Sequence, residues 1–533
     1  MPVLLGPRRS RGAYAAWWAA AWIVAVATYG FTNDHFGRIS TARQIARYGE
    51  LPFRDYFDPG YVLTEFASAA MQLVIGDNLL GEILLTTSFI ATGAVIVIAL
   101  VRGMAPSRVS VVLAAVVIIL AGARPYDYDK VLFYPLGILL CWRYVERPGL
   151  ARLWALAAGA VLAGMFRYDN GLFTLLGGLV TVLALHWRDV RTSSHRAGVL
   201  ITAAVICALP YLVFLQLSAG VMEAVDQMAT YAWREGARTR LTRPPSLVQS
   251  LPVVGNGGVV WPPAAAANCL YWAFIVIPIT ASVMVCRRGA ALASERARVL
   301  SAAVMAALIA GLILREPITA RMGAALAPVA IVAMCIWQRA HRQWFARVVA
   351  LAVLLTTAVA SGWITTAVRV ARVLPAVPQM LARSADSPPP EPFLPRAAMG
   401  RVIDYVRRCT RPEDRIFAGW FVPELFFFSQ RAFAGGMVLT FGHHWSEAAN
   451  QRRIIAKMES ESVPIVILEN DDTDFRRTYA ELDLYLRTHY RSSSTRFDGG
   501  PDDPVYTLLV RNDAAPVTTD AASSMPCLRP AGG

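Results

Sequence analysis

Residues 29–61 read YGFTNDHFGRISTARQIARYGELPFRDYFDPGY, and this polar stretch joins one long apolar run, 13–31, to the next, 62–75. It contains four acids, four arginines and one histidine. Charged stretches are usually solvated loops. Here, however, Asp34 lies within three residues of the apolar run, close to the predicted surface of a bilayer. The sequence therefore indicates that polar chemistry begins where the first membrane helix ends.

The same stretch carries a helix signal of its own. Ser40 or Thr41 can act as an N-cap, apolar residues follow at helical spacing, and Arg43 and Arg47 lie four residues apart. This pattern predicts an amphipathic helix that lies along the membrane with its arginines facing lipid head groups.

The composition places the chain among integral membrane proteins. It has 533 residues, of which 56% are hydrophobic and 17% charged, and its mean hydropathy is +0.44. The net charge is +14, and only Lys130 and Lys457 of the 51 basic residues are lysines. No basic cluster alternates with aromatic residues, so we expect no nucleic-acid partner. The excess of arginine is better explained by the positive-inside rule.

Apolar runs predict about 11 spans, with the N-terminus in the cytoplasm. The runs are 13–31, 79–101, 109–121, 131–142, 153–166, 172–187, 199–217, 264–285, 299–314, 324–337 and 348–368. The run 62–75 is too short to span and suits an interfacial helix. Arginine-rich loops then fall inside, at 102–108, 143–152, 188–198, 287–298 and 339–347. Loops rich in acids, aromatics and prolines fall outside, at 32–61, 123–130, 167–170, 220–262 and 315–321. Several runs are short, and one miscounted span would invert the later half.

The composition changes near residue 375, and this change predicts a membrane domain over 1–375. A linker at 376–396 includes the proline-rich segment SADSPPPEPFLP, and an α/β domain over 397–512 follows it. By the count of spans, this domain is extracytoplasmic. The polar tail, 513–533, is expected to be disordered. Seven cysteines show no metal-ligand spacing, and a pair between Cys409 and Cys527 stays open.

Acids alternate in the second predicted external loop, where Asp127, Asp129 and Lys130 lie in the segment YDYDK. Acids two residues apart can share a divalent cation or hold one hydrogen-bonded group. The alternative is a hydrated turn. A divalent cation on Asp127 and Asp129 therefore stays open.

Arginines occur in two further external loops, where Arg167 precedes Asp169, and Arg315 and Arg321 lie near a glutamate. Charged groups between closely joined spans are costly unless they face a polar cavity, although arginine can also reach lipid head groups. The planar guanidinium group of arginine can donate two parallel hydrogen bonds to one phosphate group. These residues, together with His35 and Lys130, predict an anion-binding site at the external membrane surface.

The order of these features resembles the GT-C superfamily of polyprenyl-phosphate-sugar glycosyltransferases, which includes protein O-mannosyltransferases and the aminoarabinose transferase of lipid A. The resemblance covers about residues 13–370 and is strongest over 29–61 and 123–171, including GELPFRDYFDPGY at 49–61. It implies that Asp34 acts at the acceptor hydroxyl and that Asp127 and Asp129 are the catalytic acids of the second loop.

Two features depart from the family pattern. Many members have two adjacent acids in the first loop, whereas Asn33 precedes Asp34 here. The W-W-D signature of oligosaccharyltransferases is absent, which disfavours transfer of a preassembled oligosaccharide.

The resemblance implies transfer of a single sugar from a polyprenyl-phosphate donor to a hydroxyl of a glycan, lipid or protein. The reaction would invert the anomeric centre and would occur at the external face of a bacterial inner membrane, in synthesis of cell-envelope glycans or glycolipids. Arginines suit the leaving phosphate, and an acid suits the acceptor hydroxyl. The competing hypothesis is a non-catalytic membrane protein, such as a lipid-glycan transporter or assembly factor. That hypothesis predicts charges lining a path through the spans.

Overall fold

A computed structural model of the chain describes residues 8–104, 108–238, 246, 253–255, 258–260, 265–287, 292–315, 319–339, 363–389, 393–394, 399–440, 443–469, 473–498 and 505–528. The described chain is mostly helical and contains a small C-terminal sheet region. It divides into two compact units. Unit 1 comprises residues 1–29, 86–212 and 239–377, and unit 2 comprises residues 30–85, 213–238 and 378–533.

Apolar segments form most of the helices before residue 399, because a helix satisfies its own backbone hydrogen bonds. In chain order these helices are α1 (Arg8–Ala27), α2 (Asn33–Tyr48), α3 (Val62–Ile75), α4 (Leu80–Met104), α5 (Arg108–Ile119), α6 (Tyr128–Glu146), α7 (Leu150–Phe166), α8 (Tyr168–Leu185), α9 (Val190–Ser218), α10 (Val221–Arg238), α11 (Ala265–Arg287), α12 (Ala293–Arg315), α13 (Thr319–Arg339), α14 (Trp363–Val373) and α15 (Val377–Ser384). A short hairpin, β1 (Val253–Gly255) and β2 (Gly258–Val260), lies between α10 and α11.

Three helices of the described chain, α4, α8 and α9, are long and apolar enough to cross a membrane. Shorter apolar helical stretches accompany them at Gly12–Ala27, Val62–Ile75, Leu150–Phe166, Tyr271–Arg287 and Gly323–Trp337. The chain therefore contains helices that can span a bilayer by length and composition, while the count of 11 spans and their orientation stay predictions. Most of the last predicted span, residues 348–362, lies outside the described residues.

Small side chains let the helices of unit 1 approach closely. Ala302 and Ala306 of α12 are fully buried, and α12 packs along α8. A Cβ atom placed on Gly177 of α8 would lie 2.9 Å from a side-chain carbon of Met305. Close contacts of this kind stabilise helix pairs through van der Waals packing, which is the main attraction available between apolar helices in lipid.

Unit 2 contains the sheet, which has five strands in the order β4-β3-β5-β7-β6. The strands are β3 (Arg415–Gly419), β4 (Ala432–Phe433), β5 (Ile465–Glu469), β6 (Tyr490–Asp498) and β7 (Val505–Arg511). Strand β3 is parallel to β4 and β5, whereas β7 is antiparallel to β5 and β6. The helices of this region are α16 (Met399–Cys409), α17 (Glu424–Ser429), α18 (Ala448–Ser460), α19 (Thr473–Thr478) and α20 (Ala480–His489). The predicted C-terminal α/β region is confirmed.

The first predicted loop packs with this α/β region inside unit 2. Phe36 of α2 lies 5.1 Å from Phe428 between ring centroids, and Ser40 Oγ donates to the carbonyl of Pro423 at 3.0 Å. Gln44 Nε2 donates to the carbonyl of Phe433 at 3.2 Å. Unit 2 thus differs from the predicted domain over 397–512, because buried contacts join residues almost 400 positions apart.

Helix α2 differs from its prediction in two respects. It begins at Asn33, with Thr32 at the N-cap position, rather than at Ser40 or Thr41. Arg43 does not face lipid head groups but is buried, and its Nε donates to Asp77 Oδ2 at 2.8 Å. The reason is that α2 packs within unit 2, where a buried guanidinium requires a carboxylate partner.

Two further predictions about loops and tails are wrong in part. Residues 221–238, interpreted as part of an external loop, form α10, whose Gln227 Nε2 donates to the carbonyl of Phe53 at 3.0 Å. Residues 513–528, expected to be disordered, include the paired strands β8 (Thr518–Thr519) and β9 (Pro526–Cys527). Cys527 forms a disulfide with Cys409, which connects this tail to α16.

Candidate active site

A cluster of charged side chains lies in unit 1 at the turn that precedes α6. Asp127 is fully buried, and Arg124 donates to its Oδ2 atom from Nη2 at 2.9 Å and from Nε at 3.1 Å. Lys130 Nζ donates to the other carboxylate oxygen. Asp127 is therefore held between two cations.

The neighbours of Asp127 determine its protonation. Burial alone would raise the pKa of this carboxyl, but the positive charges of Lys130 and Arg124 outweigh burial and hold the pKa below its ordinary value. Arg167 adds to the same effect. Asp127 is thus ionised at neutral pH, and its charge is matched by cations.

The turn between α7 and α8 supplies the second part of the cluster. Arg167 Nε donates to Asp169 Oδ1 at 2.7 Å, and both side chains are largely buried. Asn170 Nδ2 donates to Asp129 Oδ2 at 3.1 Å, which connects the start of α8 directly to the start of α6. The structure therefore brings together the acids and cations of two predicted external loops.

Close packing of α7 and α8 fixes the position of this second turn. A Cβ atom on Gly171 would lie 2.7 Å from the carbonyl oxygen of Ala160, so a side chain at this position would force the helices apart. Asp169 and Asn170 lie directly before this contact. Asp169 lies in the first turn of α8, where the partial positive charge of the helix N-terminus favours an anion.

Arg315 and Arg321 belong to the same end of unit 1. The end of α8 and the start of α12 meet at a groove that Leu183 and Leu300 line, so the two helices run antiparallel. The last residue of α12, Arg315, therefore lies toward the start of α8. The side chain of Arg321 is half-buried near the start of α13.

The start of α13 also contacts the segment before Arg124. A Cβ atom on Gly323 would lie 2.8 Å from the carbonyl oxygen of Ala121 and 3.1 Å from the Cα atom of Ala123. Residues 123–130 and 167–170 thus lie at one end of unit 1, together with the end of α12 at Arg315 and the start of α13. We call this set of segments the polar end.

Two groups at the polar end were missed by the sequence analysis. Tyr134 and Asn170 are buried, and neither the Tyr134 hydroxyl nor Asn170 Oδ1 has a hydrogen-bond partner among the described residues. Asp169 lies near enough to Tyr134 to interact with it electrostatically. A buried polar atom without a partner costs about 1–3 kcal/mol, so such atoms point to a polar ligand. Tyr134 lies one helical turn after Lys130, and this spacing was the available signal.

Unit 2 contains Asp34 and His35, which the structure places in different surroundings. Asp34 is exposed in the first turn of α2. His35 is fully buried, and its Nε2 atom lies 2.7 Å from Glu82 Oε1. Glu82 also accepts a hydrogen bond from Ser68 at 2.7 Å. This burial favours a structural role for His35 over the predicted contact with phosphate.

A pair of carboxyl groups in unit 2 was also missed, because Glu65 lies inside an apolar run. Asp58 and Glu65 are buried together, and Tyr56 donates to Glu65 Oε2 at 2.6 Å. Burial raises the pKa of Glu65 well above its ordinary value, and the negative charge of Asp58 raises it further. Burial also raises the pKa of Asp58, whose Oδ1 atom accepts from the backbone N–H of Tyr61 at 2.9 Å.

The two acids predicted to hold a divalent cation have hydrogen-bond partners of their own, and a cation bound to them stays a prediction. Both oxygens of Asp127 accept hydrogen bonds from cationic groups, and Asp129 Oδ2 accepts from Asn170. Within the described ranges, no group of three or more His, Cys, Asp or Glu side chains is arranged to hold a metal ion. Asp127 thus holds Arg124 and Lys130 in position, and Asp169 holds Arg167.

No family model matches the chain, and no curated protein is significantly similar to it. The interpretation of the site therefore rests on its chemistry and on the resemblance described above.

Proposed function

We propose that this protein is a membrane glycosyltransferase. It moves a single sugar from a polyprenyl-phosphate donor to an acceptor hydroxyl at the external face of a bacterial inner membrane. The observation that carries the proposal is the polar end of unit 1, where Lys130, Arg167 and Asp169 meet at the ends of apolar helices. Cations at such a position suit a ligand with a phosphate group and a lipid tail.

The charge balance at the polar end separates two roles for its residues. Asp127, Asp129 and Asp169 offset Arg124, Lys130 and Arg167, so the six side chains together carry no net charge. Asp127 and Asp169 position the cations, because each accepts hydrogen bonds from them, whereas Asp129 accepts from Asn170. The sequence predicts that Arg315 and Arg321 also contact the bound phosphate.

The reaction needs one base and one stabilised leaving group. The oxygen of the acceptor hydroxyl attacks the anomeric carbon while the bond from that carbon to the phosphate oxygen breaks. The family resemblance implies that Asp34, which is exposed at the start of α2, takes the proton of the hydroxyl. Polyprenyl phosphate leaves with one additional negative charge, which the arginines stabilise. Attack from the face opposite the phosphate inverts the anomeric centre.

The lipid-linked sugars of a deletion strain test this function class. Cells that lack the protein should accumulate a polyprenyl-phosphate monosaccharide, and one envelope glycan or glycolipid should lose the corresponding sugar. A plasmid-borne copy of the wild-type protein should restore both. Accumulation of a larger lipid-linked glycan instead would favour the transporter or assembly-factor alternative. An unchanged profile of lipid-linked sugars would contradict both hypotheses.

A further inference from the structure

An open groove lies in unit 1 at the end of α8 opposite the polar end. Its volume is about 570 Å³, and its lining residues are Val180, Leu183, Ala184, Trp187, Arg188, Cys286, Arg296 and Leu300. The 18 residues of α8 span about 27 Å at about 1.5 Å per residue. The groove is therefore separate from the candidate active site.

One wall of the groove is apolar and accessible. Leu183 is 49% exposed and Trp187 is 50% exposed, although both belong to or directly follow a helix that can span a membrane. Tryptophan is typical of the interface between the hydrocarbon core and the head groups of a bilayer. The position of Trp187 therefore marks the depth at which lipid head groups would lie.

The groove also carries two guanidinium groups. The guanidinium carbon of Arg296 lies 4.7 Å from the centroid of the Trp187 ring, and that of Arg188 lies 5.2 Å from the same ring. Neither arginine pairs with a carboxylate in the part of the chain that the structure describes. The Nε atom of Arg296 is buried without a hydrogen-bond partner among the described residues. The guanidinium groups of Arg188 and Arg296, together with the buried Nε–H donor of Arg296, are suited to bind an anion.

We propose that this groove binds an anionic phospholipid. The phosphate of the lipid accepts hydrogen bonds from Arg188 and Arg296, and an acyl chain lies along Val180, Leu183 and Leu300. A free phosphate ion would not contact the apolar side chains of the groove, whereas a phospholipid can contact both these side chains and the two arginines. Basic pockets between membrane helices bind lipid head groups in this manner. The charge pattern of the sequence predicts that this end faces the cytoplasm.

Lipid at this position would act on the helix pair that supports the polar end. Arg188 follows α8, whereas Arg296 lies in the first turn of α12, so one phosphate contacts both helices. The same two helices extend to Asp169 and Arg315 at their other ends. A bound anionic lipid therefore holds α8 and α12 together.

The exposed thiol of Cys286 lies in the groove and provides a direct test. In the full-length protein with Cys207 and Cys269 replaced by serine, the rate of maleimide labelling of Cys286 is measured in nanodiscs. Nanodiscs of phosphatidylglycerol should slow labelling compared with nanodiscs of phosphatidylcholine. Inorganic phosphate added to phosphatidylcholine nanodiscs should have no effect. Protection by inorganic phosphate alone would overturn the proposal of a lipid ligand.

Substitution of Arg188 and Arg296 tests whether these two residues cause the slower labelling of Cys286. Arg188→Gln with Arg296→Gln should weaken binding of phosphatidylglycerol by about tenfold or more, because loss of one charge-assisted contact costs at least about 1.5 kcal/mol. Arg191→Gln is the matched control, since Arg191 is exposed nearby and does not line the groove. Arg296→Lys keeps the charge and should retain part of the protection. Equal protection in the double variant and the wild type would overturn the proposal. None of these measurements requires glycosyltransferase activity.

Discussion

The two units of this protein bury carboxyl groups in opposite surroundings. In unit 1, Asp127 is fully buried between Arg124 and Lys130, and the pKa of its carboxyl lies below the ordinary value. In unit 2, Glu65 is equally buried beside Asp58, and its pKa lies well above the ordinary value. Burial is the same at the two positions, so the sign of the neighbouring charge decides the protonation.

The acids of the two units differ in their surroundings from Asp34. The carboxylates of the polar end accept hydrogen bonds from cations or from Asn170, and burial together with Asp58 raises the pKa of Glu65. Asp34, by contrast, is exposed to solvent at the start of α2. We infer that the buried acids organise the structure, whereas the exposed acid accepts the proton.

The largest expected effect is that of Asp34→Asn on sugar transfer. The substitution keeps the size of the side chain but removes the charge that a base requires, so transfer should fall by about 10²–10⁴-fold. Incorporation of sugar into the acceptor fraction of membranes measures this loss. Asp226→Asn is the matched control, because Asp226 is another exposed aspartate of unit 2, and it should keep full activity. If Asp34→Asn is as active as the control, Asp34 is not the base.

The next largest effect is that of Asp127→Asn on stability. The substitution leaves Arg124 and Lys130 without the charge that they share, and breaking a buried ion pair costs about 3–5 kcal/mol. The free energy of unfolding in mixed detergent micelles measures this cost. Glu146→Gln removes a more exposed ion pair at the other end of α6 and should cost about 1 kcal/mol or less. Equal stability of the two variants would contradict the claim that the buried ion pairs of Asp127 stabilise the fold more than the exposed pair of Glu146.

A smaller effect is expected from the carboxyl pair of unit 2, and it depends on pH. Glu65 has a raised pKa in the folded state, so folding retains a proton that the unfolded chain releases above about pH 4.3. The wild-type protein should therefore lose stability as the pH rises from 5 to 8. Glu65→Gln cannot ionise and should show a weaker dependence. Glu481→Gln, at an exposed ion pair, should keep the wild-type slope; identical slopes in all three proteins would indicate that Glu65 is ionised throughout.

Local patterns predicted the helices well. The run 62–75 coincides with α3, since apolar periodicity reports local structure directly. The polar loops were also recognisable, because charges between apolar runs are costly. Strand β6 was missed, because its central residues are serines and threonine rather than apolar residues.

Local sequence patterns did not predict contacts between residues that are far apart in the chain. The hydrogen bond from Ser40 to Pro423 crosses 383 positions, so nothing near α2 indicates that it belongs with the α/β region. The same limit applied to the pairing of Cys409 with Cys527, which the sequence left open. Glu65 was missed for a different reason. The carboxyl group that interacts with it belongs to Asp58, which lies in a turn outside α3.

The most direct test of the proposed function is binding of undecaprenyl phosphate to the purified protein. This lipid is the common product of such donors, so the measurement does not require knowledge of the sugar. Native mass spectrometry should detect a complex, and Arg167→Ala or Arg321→Ala should weaken it by about 10–100-fold, because each removes a charge-assisted contact worth about 1.5–3 kcal/mol. Arg191→Ala, at the opposite end of the helices, should bind like the wild type. Absence of binding, or equal affinity in all variants, would contradict the claim that the polar end holds the donor phosphate.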